Sequence, residues 1–166
     1  GRDYVVSDTG ELIRFSDPAL MLVDTPKSQF AMGTLSSLGT DPRRKLSAFE
    51  IASPMPFATL TFTSLDNLPL KESKRILCCA VGNSANARAR IDGKGYFEPA
   101  EGPVLTEPFH AVIASPAVPG APLAVYRLDP DTGRRIGELA VEVRDGRESF
   151  VIDENTETMY LELVRK

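Results

Sequence analysis

A few groups of residues in this chain have types and spacings that could do chemistry. Glu98, Glu101 and Glu107 supply carboxylates, and a glycosidase needs two of them about 5–10 Å apart across the scissile bond. These three share one Pro- and Gly-rich stretch. Residues so close in sequence rarely face one another across a substrate, so solvated loop charges are the simpler reading. His110 is the single histidine, and an imidazole titrates near neutrality, as a general base must. The nearest serine in sequence, Ser115, has no Gly-x-Ser-x-Gly elbow around it, so an outward-facing strand histidine is expected. Asp129, Asp131 and Asp153 offer oxygen ligands of the kind Ca²⁺ takes, but Asp in a turn commonly bonds its own backbone. Cys78 and Cys79 are adjacent, and neighbouring side chains of a strand point to opposite faces. Two free thiols are expected there, not a disulfide. No catalytic residue, metal site or cofactor is expected, and the chain is not expected to be an enzyme.

The best binding cluster is Asn83, Asn86, Arg88, Arg90 and Tyr96, the last within Gly93-Lys94-Gly95-Tyr96-Phe97. Carbohydrate sites combine an aromatic platform with a few polar groups that reach sugar hydroxyls. Tyr96 would be the platform, and the Asn and Arg side chains would supply the hydrogen bonds. The chain has no Trp, which weakens this reading. The competing one is a long loop whose Asn residues satisfy turn backbone.

Composition removes other classes. The net charge is −4 and the charges are mixed, whereas a nucleic-acid binder needs a cationic face. One His and two adjacent Cys exclude a multi-histidine metal site, a Cys₄ zinc site and a disulfide framework. No apolar run approaches the ~20 residues of a spanning helix, so no membrane partner is expected. A length of 166 residues suggests one domain, residues 1–166, and an opening Gly in place of Met suggests a piece excised from a longer chain.

The elements that must position these residues follow a period of two. Glu11–Phe15, Leu20–Val23, Phe57–Thr63, Phe109–Ala114, Val125–Leu128, Leu139–Val143 and Met159–Leu163 read as short strands. A bulge is expected where the alternation slips between Phe57 and Leu60. Ile76–Val81 is apolar throughout and reads as a central strand covered on both faces. Ser7–Gly10, Asp92-Gly93, Asp129–Gly133 and Asp145-Gly146 are turn signals. Pro residues fall between the runs. Asn67–Lys74 is too short to be more than a turn. About ten short strands without long helices predict an all-β fold, an antiparallel β-sandwich of jelly-roll or Ig-like type.

An ordered set of segments carries a family resemblance. Ser7-Asp8-Thr9-Gly10-Glu11-Leu12, Asp24-Thr25-Pro26-Lys27-Ser28-Gln29, Thr63–Leu70 with Ser73–Leu77, Gly102–Pro108, and Val125–Asp129 with Gly133-Arg134-Arg135 together resemble the accessory β-sandwich domain that follows the catalytic barrel in some large bacterial secreted glycoside hydrolases. The set spans roughly residues 4 to 164. Gly82–Ala87 departs from that pattern. The resemblance implies an extracellular, non-catalytic module of a polysaccharide-degrading enzyme. Its first expected role is binding a polysaccharide or oligosaccharide. The alternative is a structural domain that packs against a catalytic domain of the same parent chain and binds no sugar. An exposed aromatic with polar neighbours would favour the first; a contiguous uncovered apolar surface, for which Pro116–Pro122 is the expected place, would favour the second.

Overall fold

The computed structural model describes residues 3–91, 97–98 and 102–166. The described residues form an all-β fold of antiparallel sheets, as the period-two pattern predicts. β1 (Tyr4–Val6), β2 (Leu12–Ser16), β3 (Ala19–Asp24) and β4 (Ser28–Gly33) run as a meander; β5 (Glu50–Ala52) crosses to a second layer; β6 (Ala58–Ser64) and β7 (Arg75–Val81) return to the first. β8 (Ser84–Asn86), β9 (Arg90–Ile91), β10 (Phe97–Glu98) and β11 (Val104–Thr106) make two small ribbons, β8 with β11 and β9 with β10. β12 (Ala111–Pro116) joins the second layer, β13 (Leu123–Leu128) and β14 (Arg135–Leu139) the first, β15 (Glu142–Arg144) and β16 (Arg147–Ile152) the second, and β17 (Tyr160–Arg165) the first. The large sheet has nine strands in the order β1-β2-β3-β4-β6-β7-β17-β13-β14, and the small one has four, β15-β16-β12-β5.

The core lies between these layers. Phe15, Leu20, Leu22, Leu60, Phe62, Ile76, Cys78, Leu161 and Leu163 point inward from the large sheet and Ile113, Phe150 and Ile152 from the small one. The small sheet is too narrow to cover the whole large one. The connection from β4 to β5 covers the rest with Leu35, Leu46, Ala48 and Phe49, and Phe49 stacks on Phe62 with ring centroids 4.0 Å apart. This cover is pinned by Arg44, which is buried. Arg44 donates to Pro18 O at 3.0 Å, to Asp17 O at 3.0 Å and to Ser37 Oγ at 2.9 Å, and its guanidinium lies 4.2 Å over the Phe15 ring. No carboxylate pairs with it among the described residues.

The two layers are also tied by charge. Glu148 of β16 and Arg165 of β17 are an ion pair with little exposure on either side. Glu148 also accepts from Leu123 N at 2.9 Å. Arg165 donates to Ala121 O at 3.3 Å, Ser115 Oγ at 3.2 Å and Pro116 O at 3.2 Å. The Pro116–Pro122 connection, expected as a contiguous uncovered apolar patch, is tied at both ends by these bonds, and Val118 within it is exposed.

Two local expectations change. The bulge near Phe57 is absent. Ala58 to Ser64 pairs without interruption with β4 and β7, the inward set is Ala58, Leu60 and Phe62, and Phe57 lies exposed before the strand. Leu139–Val143, read as one run, is two strands in different sheets, because the chain changes layer at Ala140-Val141. The turns at Asp129–Gly133 and Asp145-Gly146 form as expected; Asp145 and Gly146 take φ of 50° and 72°, the left-handed pair of a tight hairpin. Gly33 shows why β3 and β4 approach so closely: its φ is +121°, and a Cβ there would stand 2.4 Å from Ala19 O.

Candidate functional site

The residues expected to bind sugar lie at one end of the sandwich. Asn83 is held rather than free: its N and Nδ2 donate to Glu107 Oε2 at 3.3 and 3.0 Å, and Glu107 N returns a bond to Asn83 O at 2.7 Å. Asn86 sits on β8, facing Val104 of β11 in register. Arg88 is exposed in the turn that follows. Arg90 pairs with Glu98 in the β9–β10 ribbon. Tyr96, the expected stacking ring, lies outside the described residues, as do Asp92-Gly93 and Glu101.

Next to β11 of the β8–β11 ribbon, a cleft of about 280 Å³ is lined by Glu107, Asp153, Glu154 and Glu157. Each carboxylate has a structural partner. Glu107 holds Asn83. Asp153 caps the short 3₁₀ turn Glu154–Thr156, accepting from Asn155 N at 2.9 Å. Glu154 lies 3.7 Å from His110 Nδ1 and Glu157 3.1 Å from Arg127. Asp129, at the other turn considered for Ca²⁺, accepts from Asp131 N, Thr132 N and Thr132 Oγ1. Those bonds hold its carboxyl below the usual carboxylate range, against the opposing effect of burial. Among the described residues no group of three or more His, Cys, Asp or Glu is placed to hold a metal ion.

The face of the large sheet turned away from the core is uncharged from β3 to β7, apolar on β3, β4 and most of β7 and threonine-lined on β6. Antiparallel register places Leu12, Val23, Phe30, Thr61, Cys79 and Tyr160 in one cross-strand row. Met21, Met32, Thr59 and Val81 form the next row, which runs on through Arg14 of β2 to Val5 of β1. Leu77 extends the surface towards Glu162. Most of these side chains are half-buried by their neighbours in the sheet. The half-buried apolar residues that do pack on the core are a different set, including Ile13, Ile51 and Leu139. No charged side chain interrupts the two rows between Arg14 and Tyr160.

Charge appears at the margin. Glu162 accepts from Arg75 Nε and Nη2 at 2.9 and 2.7 Å and from Arg135 Nε at 2.8 Å. Arg135 in turn lies 3.9 Å over the Tyr126 ring. Burial alone would raise the Glu162 pKa, but the bonds from both guanidinium groups outweigh it and hold the carboxyl below the usual range. A folded-state pKa depressed in this way stabilises the fold above the ordinary Glu value of about 4.3, and that contribution fades as pH falls towards the folded pKa. Glu162→Gln is therefore expected to flatten the loss of urea resistance below about pH 4.3. An unchanged slope of midpoint against pH would show that Glu162 carries none of the acid sensitivity.

Cys78 and Cys79 are free thiols on opposite faces, Cys78 in the core and Cys79 in the outer row between Thr61 and Tyr160. Burial pushes both thiols up from their ordinary value, Cys78 the more strongly.

No family model, curated protein or solved structure matches this chain.

Proposed function

We propose that this chain is a non-catalytic β-sandwich module that packs, through the outer face of its large sheet, against a neighbouring protein domain. The uncovered apolar face carries this reading. Strands β3 and β7 are apolar on both sides, the pattern of a strand covered on both faces, yet among the described residues only the inner face is covered. An uncharged centre with charge confined to the rim is also how protein interfaces are built. The rim has guanidinium groups from Arg14, Arg75 and Arg135, with Glu162 buried between two of them. The complementary surface is thus apolar at its centre and acidic at its edge. The resemblance to accessory domains of secreted glycoside hydrolases supports a catalytic barrel of the same parent chain as the partner, outside the cell.

Cys79 is a built-in reporter. In the chain alone, one of its two thiols should react with N-ethylmaleimide under native conditions and both in denaturant. Joined to the barrel, Cys79 should be protected, and Phe30→Glu should abolish that protection while leaving the thermal midpoint of the isolated chain nearly unchanged. Equal labelling with and without the barrel would overturn the reading. So would retardation of the chain in gels containing plant polysaccharide, which would return the weight to sugar binding.

A further inference from the structure

We propose that the cleft between the two sheets at the Arg165 end binds a compact amphiphilic organic anion, an aliphatic or aromatic carboxylate of about eight carbons. The cleft has a volume of about 330 Å³. Its floor is core: Phe49, Leu70, Ile76 and Leu163 line it and are buried. Pro116 and Val118 form one lip and Lys71 stands at the other. Ser47, Ser73, Ser115, Lys71 and Arg165 also line it, so polar groups surround an apolar floor. At about 30 Å³ per water-sized group, the volume suits roughly ten heavy atoms.

The polar groups fix the ligand's other end. Ser115 Oγ accepts from Arg165 Nη2, and no acceptor for its own proton lies within reach among the described residues. Lys71 has no ion pair there either. The groups facing the mouth are thus donors. The depression that continues from it sets Lys74 against the carboxylate of Glu72, with Lys166 drawn off to Glu138 and the Tyr126 ring and Glu148 committed to Arg165. An apolar floor beneath a cationic, donor-rich mouth selects a molecule with a hydrocarbon body and an acidic head. The inference is independent of the docking face, which lies on the other side of the large sheet.

Octanoate is the probe, with octan-1-ol and propionate as its two halves. Octanoate should raise the thermal midpoint saturably, octan-1-ol less, and propionate not at all. Lys71→Glu, a change at an exposed position, should weaken octanoate binding by about fivefold and leave the midpoint of the free protein in place. Ala48→Leu should fill the cleft and remove the response. If that variant does not fold, methyl shift changes in the parent protein at Leu123 and Leu163 locate the ligand instead. The proposal is overturned if octanoate gives no stabilisation. It is equally overturned if the response persists in full in Ala48→Leu, or if the methyl groups of Leu123 and Leu163 do not shift, since both would show adsorption elsewhere on the surface.

Discussion

Arg44→Met is expected to destabilise the protein by about 2–3 kcal/mol, or roughly 5–10 °C in thermal midpoint for a domain of this size. Three hydrogen bonds from a charged donor are lost, to Asp17 O, Pro18 O and Ser37 Oγ, as is the contact over Phe15. A cation–π contact of this kind contributes about 0.5–2 kcal/mol. The gain on the other side is relief of an unpaired buried charge, which is why the estimate stops short of the sum of the bonds. Arg44→Lys should recover little, because an ammonium cannot span the two carbonyls and the serine as a planar fork does. Chemical denaturation of the three proteins measures this. A Met variant as stable as the parent would mean that desolvating the guanidinium cancels everything it binds.

A larger effect is expected from halving the pair that joins the layers. Glu148→Leu should cost about 3–5 kcal/mol, because it leaves Arg165 charged inside the sandwich and Leu123 N without its acceptor. Arg165→Met should cost a similar amount, since it strands the Glu148 carboxylate and frees the Ala121 and Pro116 carbonyls. The double variant should be markedly more stable than the sum of the two single losses predicts, because neither charge is then left without its partner. Additive losses in the cycle would show that the two side chains act separately.

Much of this architecture was legible in the sequence because one-sided burial leaves a period of two. Leu60 and Phe62 of β6 and Leu161 and Leu163 of β17 point inward and belong to runs that alternate, while Leu20 and Leu22 of β3 point inward from a run that is apolar on both sides. The strand Ser28–Gly33 was missed for a physical reason. Its inward positions are Gln29, Ala31 and Gly33, and its large apolar side chains, Phe30 and Met32, face outward. No apolar side chain on its inward side is larger than that of Ala31, so a period-two pattern of core residues is absent from it. Arg44 and Glu148 were illegible because a single charged residue in a sequence does not disclose whether it is buried. The proposed sugar loop was only partly decided. Asn83 proves to be bound to Glu107, a pairing across 24 residues that no local pattern encodes, and Tyr96 falls outside the described residues.

The position of β17 bears on how the chain is made. It follows every other strand in sequence, yet it lies inside the large sheet, between β7 and β13. Until Tyr160–Arg165 has left the ribosome, β7 and β13 have an open seam between them, Glu148 lacks its partner, and the places of Leu161 and Leu163 in the core stand empty. Earlier strands can pair as hairpins during synthesis, but the sandwich can close only after its last strand arrives. Such non-local completion is slow, and it leaves two long strand edges exposed to other nascent chains in the interval. A ribosome stalled short of residue 160 would therefore hold a chain that is mostly strand and not yet a folded domain.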